Sequence, residues 1–310
     1  MRRLLVLAAV AAVVMMAAAA GACGSSGGGD RSGGALSVVA AESFLADIAQ
    51  NVAGDRFTVD TLVPAGADPH AFEPAPRDLA KAAEADLVVV NGGGLEGPLL
   101  DTLRNAGGSA STVEASAGLQ SRTPQAGEPP LDAGQTDPHF WLDPELVKAY
   151  VATIRDAFSK ADPAGAATYA ANAAAYEKKL DALDAWIAGQ VARIPEADRK
   201  LVMNHASHGY FADRYGLQVV GTVIPGTGTS ESPTAQQLGE LTSAIRDSGA
   251  RAIFVETDEN PELAKQLAAE TGVAVVTDLL DHSLTPAGGV APTYIDMMRF
   301  DTRRIVEALQ

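Results

Sequence analysis

The chain has 310 residues, 47% of them hydrophobic and 20% charged, a composition typical of a globular protein long enough for two domains. Its formal net charge of −16 excludes the basic surface that nucleic-acid binding requires. Cys23 is the only cysteine, so an internal disulfide is also excluded.

Residues 1–22 predict a secretory signal peptide, because Arg2 and Arg3 precede an apolar run that ends in small residues. A short membrane-spanning anchor is the alternative for this segment. Cys23 follows directly and resembles the lipid-modified cysteine of bacterial lipoproteins, with a free thiol as the alternative. The Gly/Ser-rich residues 23–34 then predict a flexible, lipid-anchored tether. The protein is therefore expected to be exported and held at the outer face of the cell membrane or in the periplasm.

Short apolar runs alternate with segments of helical periodicity after the tether, which predicts an α/β fold with parallel sheets. Residues 35–162 are expected to form an N-terminal lobe. Within it, His70 lies on the loop beyond the predicted strand 57–63, at the sheet edge where open α/β folds bind ligands. The proline- and glycine-containing residues 118–136 predict a long surface loop that leads to His139.

Residues 163–194 are rich in alanine and contain no proline after Pro163, which predicts one helix of roughly 45 Å that joins two lobes. An ordinary packed helix with a break near Asn172 is the alternative. Strand–helix alternation resumes over residues 195–310, so a C-terminal α/β lobe is expected. The predicted architecture is two lobes, each a mostly parallel sheet flanked by helices, joined by one long helix.

A repeated tripeptide suggests a metal site. Asp68-Pro69-His70 recurs as Asp137-Pro138-His139, and in both copies the proline restrains the backbone just before the imidazole. His205 and Asp278 each follow a predicted strand of the second half. Imidazoles with a carboxylate suit zinc, which accepts four such ligands in a tetrahedron.

Two nearby residues, Asp281 and His282, are alternatives to Asp278 as the fourth metal ligand. Asp278 is preferred because it directly follows the apolar strand. A lone histidine on a loop is more often hydrogen-bonded than a ligand, so the repeated tripeptide is the main support that the residues themselves offer for a metal site.

The chain resembles the zinc/manganese-binding group of solute-binding lipoproteins of bacterial ABC transporters. The resemblance rests on three motifs, namely Asp68-Pro69-His70-Ala71-Phe72-Glu73-Pro74, Asp137-Pro138-His139-Phe140-Trp141-Leu142-Asp143-Pro144 and His205-Ala206-Ser207-His208-Gly209-Tyr210-Phe211. It implies a rigid linking helix and a metal in the cleft between the lobes. It also implies four ligands, one at each of the positions His70, His139, His205 and Asp278.

This resemblance predicts a monomeric protein that captures Zn²⁺ and delivers it to an ABC permease, with a zinc metallochaperone as a further candidate partner. Mn²⁺ is less favoured, because manganese-type members tend to carry a glutamate at the position of His205. The chain departs from the family in two ways. Many zinc members have a histidine-rich loop where residues 118–136 contain no histidine, and His208 stands where an aromatic residue is usual. His208 is expected beside the ligands, with a spare ligand or simple packing as the alternatives, and Glu256 is also expected beside them.

Two other functions remain open from the sequence. A secreted zinc hydrolase would use three histidines, a metal-bound water and Glu256 or Asp278 as the base. A surface adhesin is the third candidate. Four protein ligands would leave no coordination position for water, which argues against an enzyme.

Overall fold

The computed structural model describes residues 36–106 and 110–310. The predicted signal peptide over 1–22, the tether over 23–34 and the lipid-modified Cys23 lie outside the described residues. Within the described ranges, no helix is both long enough and apolar enough to cross a membrane.

The N-terminal half contains a parallel sheet in the order β2-β1-β3-β4, formed by β1 (Val38–Ala40), β2 (Val59–Thr61), β3 (Leu87–Val90) and β4 (Ser111–Glu114). All four residues of β3 are apolar and buried, as expected for an inner strand of a parallel sheet covered on both faces. The strands alternate with α1 (Ser43–Ala53), α2 (Pro76–Glu84) and α3 (Gly97–Ala106). A 3₁₀ turn at Phe140–Leu142 then leads into α4 (Pro144–Ala161).

The long central helix is α5 (Ala166–Val191), which follows a 3₁₀ turn at Pro163–Gly165. Its 26 residues span about 39 Å without interruption. No break occurs at Asn172, whose Nδ2 donates a hydrogen bond to the Val52 carbonyl oxygen at 3.1 Å. The buried face of α5 packs against α1 and α4 and consists of Tyr169, Ala173, Tyr176, Leu180, Leu183, Ile187 and Val191.

The C-terminal half repeats the first sheet, with the order β6-β5-β7-β8 and all neighbours parallel. Its elements are β5 (Lys200–Met203), α6 (Gly209–Tyr215), β6 (Gln218–Thr222), α7 (Ala235–Ser248), β7 (Ala252–Glu256), α8 (Glu262–Thr271), β8 (Ala274–Leu279) and α9 (Tyr294–Leu309). The predicted fold class is confirmed, because two parallel sheets flanked by helices are present. Helix α9 returns to pack on α5 and α1.

The two halves share a core. One cluster of buried side chains extends from Val38 in the first sheet through Tyr176 of α5 to Phe254 in the second sheet. Residues 36–310 accordingly form a single compact unit, and the lobe boundaries at 162 and 195 stay predictions. The loops at the carboxyl ends of the two sheets meet inside this unit, which is where ligands bind in open α/β folds.

Candidate metal centre

Four imidazoles converge where the two halves meet. His70, His139, His205 and His282 each offer one nitrogen, and these nitrogens lie within 4.8 Å of one another. The Nε2 of His139 is 3.3 Å from the Nε2 of His70 and 3.3 Å from the Nε2 of His205. Zinc–nitrogen bonds of about 2.0–2.1 Å in a tetrahedron place ligand atoms about 3.3 Å apart. The observed spacing therefore fits a tetrahedral zinc site.

The repeated tripeptide builds the same local turn twice. Asp68 Oδ1 accepts a hydrogen bond from the backbone N–H of His70 at 2.8 Å, and Asp137 Oδ1 accepts one from that of His139 at 3.1 Å. This Asx turn and the intervening proline hold the backbone of each histidine in one conformation. The first half of the chain thus presents two imidazoles on restrained loops.

The second half contributes His205 directly after β5 and His282 on the loop after β8. The strand pairing continues past β5, because the N–H of Asn204 donates to the Phe254 carbonyl oxygen at 2.8 Å. His205 is fully buried and His282 is 3% exposed. Both rings are therefore held by a packed interior rather than by solvent-exposed loops.

Carboxylates lie next to the Nδ1 atoms of three of the four rings. His139 Nδ1 lies 2.9 Å from Asp137 Oδ1, His205 Nδ1 lies 3.0 Å from Glu259 Oε1, and His282 Nδ1 lies 3.3 Å from Asp258 Oδ2. A carboxylate at Nδ1 favours the tautomer with the proton on that nitrogen. The lone pair of Nε2 is then free to bind a metal, and the ring orientation is set by the carboxylate.

The two halves differ in the charge that their histidines favour. Burial, together with the neighbouring histidines, lowers the pKa of His70 and of His139 well below the usual value. Burial also opposes charge on the other two rings, but the Glu256 carboxylate raises the pKa of His205 well above its usual value, and Asp281 and Asp258 raise that of His282 to about 9. Metal binding must displace protons from these two rings, since a bound imidazole is neutral.

A shell of buried acids surrounds the C-terminal histidines. Burial raises the pKa of Glu259, and it raises that of Asp281 well above the usual value. Glu259 Oε2, both oxygens of Asp281 and Glu256 Oε2 have no hydrogen-bond partner, and neither does His282 Nε2. Unpartnered buried acids next to bare imidazole nitrogens are the environment that a divalent cation would stabilise.

The structure does not bring Asp278, the fourth ligand predicted from the sequence, to this cluster. Its Oδ1 accepts a hydrogen bond from Arg304 Nε of α9 at 2.9 Å, and its side chain is 44% exposed. Among the described residues, none of the groups that could hold a metal includes Asp278. The structure brings His282, the competing residue, to the cluster in place of Asp278, and which of the two binds the metal stays a prediction.

The reason lies in the geometry of the strand end. Asp278 is still within β8, where side chains point alternately to the two faces of the sheet, and it lies on the α9 side. The fourth imidazole of the cluster comes from the loop beyond the strand, as do those of His70 and His205. A preference for residues on the loop beyond a strand, rather than within the strand, would have favoured His282 over Asp278.

Trp141 connects the two ligand pairs. Its Nε1 donates to the Asp281 carbonyl oxygen at 2.7 Å, and its own carbonyl oxygen accepts from Tyr294 Oη at 2.6 Å. The indole stacks on Phe44 with ring centroids 4.6 Å apart. Because Trp141 follows His139 by two residues, these contacts tie the loop of His139 to the loop of His282.

Residues 118–136 form a loop without helix or strand, as predicted, and every residue in it is at least partly exposed. Two of its side chains are nevertheless held against the second half of the chain. The Arg122 and Glu128 side chains are only 6% and 2% exposed, and Arg122 Nε donates to Asp213 Oδ2 of α6 at 2.7 Å. A Cβ at Gly127 would lie 2.1 Å from the Val219 carbonyl oxygen, so glycine is needed for this close approach to β6. The histidine-free loop is a strap that packs on the second half of the chain.

His208 and Glu256 lie beside the four imidazoles, as expected. Ser207 Oγ lies 2.8 Å from His208 Nδ1 and 3.1 Å from Glu256 Oε1. Glu256 Oε1 is in turn 3.4 Å from His205 Nδ1. Glu256 therefore approaches His205 from the side opposite its Nε2.

The comparisons with known proteins agree with this architecture. The family model described as "Zinc-uptake complex component A periplasmic" matches residues 38–308. The manganese-binding lipoprotein MntA of Halalkalibacterium halodurans is 35% identical over 278 residues, which are 89% of each chain. The iron-binding protein YfeA of Yersinia pestis is 32% identical over 273 residues, which are 87% of this chain and 85% of that protein.

A solved structure also matches. The periplasmic zinc-binding protein TroA from Treponema pallidum superposes with a TM-score of 0.81 at 27% identity, over 89% of this chain and 99% of that one. The relatives named above carry manganese, iron and zinc in their names. The chain belongs to the zinc-uptake component A family, whose members include the substrate-binding lipoproteins of metal ABC transporters.

Proposed function

We propose that this protein captures zinc outside the cell in its four-histidine centre and delivers it to an ABC permease. The observation that carries this proposal is the donor set, because the four groups that converge at the centre are all imidazoles. The family itself supports the coarser function, a metal-binding component of an ABC transporter.

Nitrogen donors are the argument for zinc over manganese. Imidazole suits zinc, whereas manganese is better served by carboxylate, carbonyl and water oxygens. In the Irving–Williams order, a given site also binds zinc more tightly than manganese. Several relatives are named for manganese, and the exclusively nitrogen donor set is what supports a different metal in this chain.

The same geometry argues against the hydrolase. Four protein nitrogens fill a tetrahedron and leave no position for a metal-bound water. Glu256 approaches Nδ1 of His205, whereas a base acting on a metal-bound water would lie on the Nε2 side. Asp278 pairs with Arg304, so neither candidate base faces the centre. No observation favours the adhesin.

The proposal includes the setting expected from the sequence. Cleavage before Cys23 and lipid attachment to that residue would hold the protein at the outer face of the membrane, as in the relatives named lipoproteins. The permease would then receive the metal from a protein that cannot diffuse away. A monomer suffices, because all four nitrogens come from one chain.

Metal competition on the purified protein tests the proposal. Zinc and manganese affinities are measured against a chelator of known affinity, for wild type and for His139→Ala, with circular dichroism confirming that both are folded. We expect wild type to bind zinc more tightly than manganese and His139→Ala to lose most of its zinc affinity. Equal zinc affinity in the two proteins, or tighter binding of manganese by wild type, would sink the assignment. Zinc uptake by cells with and without the chain tests the delivery step.

A further inference from the structure

A second cluster of potential ligands lies beside the four histidines. His208, Glu256 and Asp281 are 2%, 1% and 0% exposed, and each offers an atom within 4.8 Å of the others. Asp281 Oδ2 lies 3.8 Å from His208 Nδ1. We propose that His208, Glu256 and Asp281 form a second divalent-cation site, separate from the four-histidine centre.

Unpartnered oxygens point into this cluster. Glu256 Oε2 and both carboxylate oxygens of Asp281 make no hydrogen bond, although both side chains are buried. Ser207 Oγ, which lies 2.8 Å from His208 Nδ1 and 3.1 Å from Glu256 Oε1, supplies a further oxygen at the same place. Burying a carboxylate oxygen without a hydrogen-bond partner is costly, and a bound cation would remove that cost for both acids at once.

The charges around the two clusters support a second ion. Four buried acids face the C-terminal histidines, namely Glu256, Asp258, Glu259 and Asp281, and in the described part of the chain their ion-pair partners are all histidines. Once those histidines bind a metal they are neutral. Neutral histidines no longer pair electrostatically with these carboxylates, and a second divalent ion between Glu256 and Asp281 would do so.

The donor types indicate which ion the second site would take. One imidazole, two carboxylates and a hydroxyl form a set richer in oxygen than the four-histidine centre. Oxygen donors suit manganese, and the mixed set also accepts zinc. The second site is therefore expected to bind Mn²⁺ even when the four-histidine centre holds Zn²⁺.

Manganese binding to zinc-loaded protein tests this site alone. The purified protein is stripped with a chelator, loaded with one equivalent of Zn²⁺ and titrated with Mn²⁺, while the six-line electron paramagnetic resonance signal of free Mn²⁺ is followed. We expect wild type to remove one equivalent of free Mn²⁺ per chain without releasing zinc. His208→Phe, whose ring can keep the edge contact with Phe211, is expected to remove none. Asp278→Asn, a carboxylate change outside both clusters, should bind Mn²⁺ as wild type does.

Three results would overturn the proposal. They are a wild-type protein that takes up no Mn²⁺, Mn²⁺ uptake only with release of an equal amount of zinc, and full uptake by His208→Phe. If His208→Phe does not fold, native mass spectrometry of wild type with excess Zn²⁺ decides, since two bound ions support the second site and one refutes it. Binding of the first zinc ion to the four-histidine centre is tested separately, by comparing the zinc affinity of wild type and His139→Ala. Failure of the zinc-capture proposal would therefore be seen independently of the second site.

Discussion

The sharpest prediction compares His282→Ala with Asp278→Asn. The two residues are four positions apart at the end of the same strand, and sequence reasoning favoured the aspartate whereas the structure brings the histidine to the centre. His282 offers one nitrogen to the cluster of four, and its Nε2 has no hydrogen-bond partner. Asp278 makes an ion pair with Arg304 on a side chain that is 44% exposed.

The expected size of the effect follows from dividing the binding energy among four ligands. Structural zinc sites have apparent binding free energies of about 10–16 kcal/mol, or about 2.5–4 kcal/mol for each ligand. At about 1.4 kcal/mol per tenfold change, His282→Ala should weaken zinc binding roughly 10²–10³-fold. Asp278→Asn should leave zinc affinity unchanged and lower the free energy of unfolding by at most about 1 kcal/mol, because an exposed ion pair contributes little.

Zinc affinity is measured for both variants and wild type by competition with a chromophoric chelator, in the absence of manganese. Urea unfolding of the metal-free proteins shows whether any loss of affinity reflects a loss of stability. The reasoning is refuted if Asp278→Asn weakens zinc binding as much as His282→Ala does. Unchanged affinity in His282→Ala would refute it equally.

Two further predictions concern buried polar side chains. Burial and the adjacent Glu96 raise the pKa of Glu42 well above 4.5, so the stability linked to this carboxyl group is present below about pH 4.5 and is lost as the pH rises through the raised pKa. In urea unfolding, the free energy of unfolding of Glu42→Gln should therefore rise relative to that of wild type as the pH goes from 5 to 8. An equal difference between the two proteins at pH 5 and pH 8 would contradict this. Trp141→Phe removes the hydrogen bond to the Asp281 carbonyl oxygen, so it should lower the free energy of unfolding by about 1–3 kcal/mol and weaken zinc binding. Trp186→Phe, at a partly buried position of α5, is the matched control, and an equal effect on zinc binding would argue against the role of Trp141.

Much of this protein could be predicted from local sequence. Short apolar runs separated by helical segments are enough for an α/β fold, because strands buried on both faces must be apolar and helices must have one apolar face. An alanine-rich segment without internal proline predicts the long helix α5, and the structure shows that it continues through Asn172. The turns at His70 and His139 follow from an aspartate and a proline within two residues of each ring. These features depend on neighbours in the chain.

Other features depend on how distant segments pack. Whether Asp278, Asp281 or His282 reaches the centre is decided by the strand end of β8 and by the Arg304 side chain from α9. The packing of the Arg122 and Gly127 positions depends on Asp213 and Val219, which lie about ninety positions further along the chain. The meeting of His208, Glu256 and Asp281 likewise requires the loop before α6, the end of β7 and the loop after β8 to converge. The sequence alone determined the class of fold and the residue types for a metal site. Only the tertiary structure decided which side chains cluster together, because separation along the chain says nothing about separation across a sheet edge.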